Sequence, residues 1–341
     1  MVAGSSPAGF AISLILVSFN MPSRPPRILT FNHHESFLCS LADTGWQFDV
    51  VVRYKKLDLA WNVASRPVPT NFRLVEFDDA VRRKLDAGEY DSVICHTLKN
   101  LLWLWRWRDN KFIFIAHIPL FRYTLPLWLK SAVKLALFKA FRWSHPTVFV
   151  AVSEFKRKSW KTRGHVAVLA PQQVGELSDG KGYDSVTVVC NDLMTRQEEL
   201  GAKDLMAIGK KIPLRIIGRN PGAEGAIQPK DYCEFRDLFS SGRIYLYTIR
   251  QPFGDGYNTA MLEAMQMGMA VVTVDNPSSP IIHGENGLVA RNPEEMLTHC
   301  QFLLSHPAEV DRLGSAARAT VREKFSQGNF ISALQGALAS L

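Results

Sequence analysis

Residues 251–273 read QPFGDGYNTAMLEAMQMGMAVVT. Gly254, Asp255 and Gly256 make a turn, residues 259–268 have the Ala, Met and Leu content of a helix, and Ala270–Val274 is a short, mostly apolar run. A turn, a helix and then a short buried strand form the repeating unit of a parallel sheet with helical crossovers. Glycines let the backbone approach a ligand closely, and the unpaired N–H groups of a new helix favour an anion. Asp255 and Glu263 are eight residues apart, so one sits near the helix start and the other about two turns in. Carboxylates there can accept hydrogen bonds from the hydroxyls of a sugar or ribose. Spacing alone leaves a merely solvated acidic pair equally open.

The same alternation runs through the rest of the chain. Arg27–Phe31, 49–53, Ser92–Cys95, Phe112–Ala116 and 148–152 read as buried strands, each four or five residues long and separated by helix-length intervals. A polar, glycine-containing stretch at 171–185 reads as a linker. Strands at 186–190, 214–218, Ile244–Tyr247 and Ala270–Val274 follow, and then helices at 294–305, 308–324 and from Asn329. This layout predicts an α/β protein of two Rossmann-like domains with parallel sheets facing across a cleft. The expected divisions are a leader or start-site extension at 1–21, with Met21 as an alternative start, and a first Rossmann-like domain at 22–172. A second Rossmann-like domain at 173–325 and a closing helix at 326–341, packing back toward the first domain, complete the scheme.

With 341 residues, 47% of them hydrophobic and 21% charged, general disorder is excluded. The five cysteines form no CxxC pair, which argues against a zinc ribbon or a disulfide framework and for a reducing compartment. The apolar run at 10–19 is too short to span a bilayer and has no basic residue before it. The formal charge of +8 is unevenly placed: residues 99–165 carry 14 Lys or Arg against Asp109 and Glu154. Such a face suits phosphate-bearing material. Nucleic acid is not expected, because no recognition motif accompanies the charge.

The pattern Asp255, seven residues, Glu263-Ala264-Met265, then Gly268 and AVVTV, resembles the C-terminal signature of the retaining GT-B glycosyltransferases of the family-4 type. PIIHGENGLVARNPEEM at 280–296 and RLGSAARATVREKFS at 312–326 resemble that family's next loop and closing helices, and VFVAVSEFKRKSW at 148–160 resembles an N-domain strand and helix. The resemblance implies transfer of a sugar from a nucleotide-diphosphate sugar to a lipid-linked or glycan acceptor with retention of configuration, without a metal or other cofactor. It implies that Glu263 binds the ribose, that Asp255 and His117 touch the donor sugar, and that Gly256, Tyr257, Asn258 and Thr259 face the pyrophosphate. Leu200-Gly201 stands where the family carries Lys-Gly. The cations for the leaving diphosphate are therefore expected from Arg196, Lys203 or Arg219. A catalytically degenerate GT-B protein, acting as a binding or scaffolding subunit, is the alternative.

Asn32, His33 and His34 replace the usual glycine-rich loop after the first strand and are expected on the acceptor side; adjacent histidines rarely share one metal ion. In LPLWLKSAVKLALFKAFRW at 125–143, Lys130, Lys134, Lys139 and Arg142 fall on one half of a helical wheel. Leu129, Ala132, Val133, Ala136, Leu137, Ala140 and Trp143 fall on the other, while Trp128, Phe138 and Phe141 are interleaved with the cations. This predicts a helix lying on an anionic membrane surface, with Trp128 and the four cations in contact, and hence a cytoplasmic protein peripheral to the inner face of the cell membrane. A core helix with snorkelling lysines is the competing reading.

Overall fold

The computed structural model describes residues 24–120, 125–178 and 182–341, and the side chains from 129 onward in the helix Leu125–Ser144. The expected leader at 1–21 and the side chain of Trp128 lie outside the described residues. Among the described residues thirteen strands build two sheets. In chain order these are β1 (Arg27–Phe31), β2 (Gln47–Tyr54), β3 (Leu57–Asp58), β4 (Phe72–Glu76), β5 (Ser92–Cys95), β6 (Phe112–Ala116), β7 (Thr147–Ala151) and β8 (His165–Val166) in the first sheet. The second holds β9 (Val186–Val189), β10 (Leu214–Ile217), β11 (Ile244–Tyr247), β12 (Ala270–Val274) and β13 (Leu288–Ala290).

The first sheet runs β3-β2-β1-β5-β6-β7-β8 with β4 also paired to β2, and every pairing except β2 with β3 is parallel. The second runs β10-β9-β11-β12-β13, parallel throughout. The predicted α/β architecture of two parallel sheets is observed. Both faces of each sheet are covered by helices, which is why β5, β6, β11 and β12 are buried along their whole lengths.

One core fills the outer face of each sheet, and a third is continuous between them. That third core joins Phe37, Ile113 and Val150 of the first unit to Met261, Met265 and Tyr257 of the second, and to Phe330 and Leu334 of the last helix, Gln327–Ala339. This helix lies against β7 and β8, and Gln327 donates to the Ser40 carbonyl.

Chain order reverses direction between β1 and β5 in the first sheet and between β9 and β11 in the second. Clefts open at such switch points, beyond the carboxyl ends of the strands. The residues that follow β1, β5, β6 and β7 therefore face those that follow β9 and β11.

Candidate active site

A cleft of about 650 Å³ lies between the two sheets. Two imidazoles line it from strand ends, His33 after β1 and His117 after β6, and a third, His96 after β5, is buried behind them. His117 Nε2 is 2.9 Å from His96 Nδ1, and His96 Nε2 is 2.9 Å from Thr30 Oγ1. Each link needs one proton, so the direction chosen at Thr30 sets which nitrogen of His117 carries hydrogen. His33 stacks on His96 with centroids 5.6 Å apart, and Phe37 meets the His117 ring edge-on.

Burial drives the His96 and His117 pKa values well below the ordinary 6.5, and neighbouring imidazoles lower them further. The Lys156 charge also acts on His117. His33 reaches cleft solvent, yet the surrounding protein mass and His34 bring it down to about 4, with Glu35 opposing. Burial lowers His34 too, and its Nδ1 lies 2.9 Å from Ser36 Oγ. These are neutral rings suited to hydrogen bonding with hydroxyls. Among the described residues no group of three or more His, Cys, Asp or Glu is placed to hold a metal ion. Asn32 is buried beside the cleft, donating to Glu35 Oε1 and to the carbonyls of Leu59 and Ala60.

The opposite wall is the start of the helix Thr259–Met267, whose N-cap Asn258 accepts from the Met261 N–H. Tyr257, Asn258 and Thr259 line the cleft. Gly256 N–H donates to Ser278 Oγ at 2.8 Å, and a Cβ at Gly256 would fall 2.4 Å from the Ser279 nitrogen. Only glycine allows that approach.

Asp255 and Glu263 are both buried in the cleft wall, and residues of the first unit hold both. Asp255 accepts from Ser153 Oγ at 2.9 Å and pairs with Lys156 Nζ at 2.6 Å. Glu263 Oε1 accepts from Arg66 Nη2 at 2.5 Å. Burial raises the Glu263 pKa, and Arg66 pulls in the opposite direction. The Arg66 guanidinium also sits 5.3 Å from the ring centroids of Tyr232 and Phe235.

Arg196 and Arg219 reach the cleft; the first pairs with Glu199 and the second with Asp192. Lys203 is exposed and outside the cleft lining. Sequence reading missed Arg66, His96, Ser153 and Lys156. His96 had a usable signal, since it follows a buried parallel strand just as His117 does.

Away from the cleft, Ser131, Phe138 and Phe141 of the helix Leu125–Ser144 face the core. Phe138 packs on Phe114, Phe149 and Trp160, and Phe141 packs on Trp105, Phe112 and His145. The expectation that these two phenylalanines project among the cations is corrected: they are core residues. The helix turns its apolar stripe outward instead, with Leu129 61%, Val133 52% and Trp143 92% exposed beside Ala136 and Ala140. Lys130, Lys134, Lys139 and Arg142 are exposed on its flanks. No helix among the described residues is long and apolar enough to cross a membrane. All five cysteines are free.

Two facing parallel sheets with a cleft at their switch points define the fold class of the GT-B glycosyltransferases. Sucrose-phosphate synthase of Thermosynechococcus elongatus superposes with a TM-score of 0.68 at 13% identity, over 92% of this chain and 98% of that one. HepE of Anabaena, solved with UDP and glucose, gives 0.69 at 14% identity, over 92% and 99%. The lipopolysaccharide outer core galactosyltransferase WaaB gives 0.57 at 14%, over 92% and 99%. Residues 198–335 match the family model described as glycosyl transferase-like. No curated protein matches the chain in sequence.

Proposed function

We propose that the cleft binds a nucleotide-diphosphate sugar and transfers its sugar, with retention of configuration, to a lipid-linked or glycan acceptor. The observation that carries this reading is the meeting of neutral His117, Asp255 and the start of the helix Thr259–Met267 in one cleft between two sheets. Breaking the sugar–phosphate bond develops positive charge on the sugar and negative charge on the leaving phosphate. Fixed helix-start N–H groups and cations stabilise that phosphate without reorganising during the reaction. His117 offers a neutral nitrogen to a sugar hydroxyl. Glu263, eight residues beyond Asp255, is the candidate ribose acceptor, exchanging part of its Arg66 contact for the ligand. The leaving phosphate takes the acceptor proton, so the reading requires no metal. HepE, solved with UDP-glucose, supports a nucleotide-sugar donor by its shared fold.

The acceptor part rests on the helix Leu125–Ser144. An exposed apolar stripe flanked by four cations suits the headgroup layer of an anionic leaflet, which supports a peripheral site on the cytoplasmic membrane face.

The internal pairing of both carboxylates and of the Gly256 N–H favours one second reading, a degenerate GT-B protein that binds without catalysis. A thermal-shift panel of nucleoside diphosphates and nucleotide sugars tests the donor assignment, since specific binding raises the melting temperature by mass action. A shift confined to one base supports the reading, and the absence of any shift contradicts it.

A further inference from the structure

Lys156, Asp255 and the start of the helix Thr259–Met267 meet in the cleft. The Lys156 ammonium lies 2.6 Å from Asp255 Oδ2, the lysine side chain is buried, and Asp255 stands just before the N-cap of the helix. Of the three consecutive cations Lys156, Arg157 and Lys158, it alone is buried; Arg157 pairs outward with Glu154. Among the described residues the ion pair with Asp255 is the one polar contact given to Nζ, which leaves ammonium hydrogens for a ligand in this cleft-lining position. A buried cation with spare donors is costly unless something anionic completes its shell.

We infer that Lys156 is the cation that meets the leaving diphosphate, supplied by the first sheet rather than by the nucleotide-binding unit; this rests on the nucleotide-sugar reading above. The competing cations are less well placed. Lys203 is outside the cleft lining, and Arg196 and Arg219 each direct their forks to a carboxylate of their own unit. In the transfer, the bond between the anomeric carbon and the β-phosphate oxygen breaks, with the electron pair staying on that oxygen. The acceptor oxygen bonds the same carbon, and its proton passes to the departing phosphate. Lys156 donates a hydrogen bond to the phosphate oxygen, while Asp255, itself held by Ser153, keeps the ammonium in position. Because the cation and the helix start belong to different units, the charge-stabilising site is complete only with the cleft closed.

Calorimetric titration of the full chain with UDP, GDP and ADP, and with the matching monophosphates, tests the assignment. Lys156→Met should weaken the preferred diphosphate at least tenfold and its monophosphate less than threefold, because the β-phosphate is the group that Lys156 meets. Lys156→Arg, which keeps the charge and guards against a Met variant that does not fold, should keep the diphosphate preference. Equal losses for both ligands, no loss in Lys156→Met, or a folded Lys156→Arg that no longer prefers diphosphate would make Lys156 an interdomain strut. Absence of nucleotide binding by wild-type protein overturns the donor reading itself, and this assignment with it.

Discussion

Arg66 and Glu263 are 197 positions apart in the chain and meet at 2.5 Å with both side chains buried. One comes from a loop of the first unit and the other from the helix that carries the second unit's signature, so the pair clasps the two halves beside the cleft. Arg66→Met leaves a buried carboxylate unpaired and should cost about 3–5 kcal/mol in urea denaturation. Adding Glu263→Gln should recover at least half of that loss. A double variant no more stable than the single one would show that the pair does not hold the halves together.

The histidine cluster makes stability sensitive to pH. His96 is held neutral when folded, with its pKa well below 6.5, while the unfolded chain takes up the proton near 6.5. The folded state therefore binds fewer protons: stability is full above pH 6.5 and is lost as pH falls below it. An imidazole that stays neutral between pH 6.5 and 5.5 costs about 1 kcal/mol over that step. Melting curves across this window should fall for wild type and fall less steeply for His96→Gln, in which His117, His33 and His34 still contribute. Parallel slopes would remove His96 as the cause.

Gly314 lies within the helix Pro307–Lys324, where Ala would ordinarily be better by about 1 kcal/mol. Here a Cβ would fall 1.9 Å from the carbonyl oxygen of Gly268, the left-handed cap (φ 96°) that ends the Glu263 helix. Gly314→Ala should instead destabilise by about 1–3 kcal/mol through overpacking. A stabilised variant would contradict the close approach.

The helix Leu125–Ser144 should hold the protein on anionic vesicles. Four cations at about 1 kcal/mol each near such a surface give a reversible, salt-sensitive attachment. Changing Lys130, Lys134, Lys139 and Arg142 to Gln should release the protein in a sedimentation assay without unfolding it, since all four are exposed. Trp143→Ser should weaken the part that salt does not screen. Wild-type protein that ignores anionic lipid would leave the apolar stripe to another partner.

The parallel strands were legible because burial on both faces writes them as short apolar runs. β3 and β8 are two residues each, and β4 is mostly exposed, so none leaves such a run. The wheel of residues 129–143 separated cations from apolar residues but could not tell which half meets the core. Phe138 and Phe141 decide that by packing inward on the cationic side. Asp255 and Glu263 were readable from their motif, whereas their partners were not. Arg66 sits in a loop without periodicity, and Lys156 is one of three adjacent cations that only tertiary packing distinguishes.

Release of nucleoside diphosphate from a panel of nucleotide sugars, with acceptor lipid present, tests most directly whether the cleft transfers sugar. Wild-type protein should turn over at least one donor, and His117→Ala and Asp255→Asn should each lower kcat at least a hundredfold while remaining folded. A wild-type protein that binds a nucleotide sugar yet releases no diphosphate from any donor would contradict catalysis and leave a binding subunit.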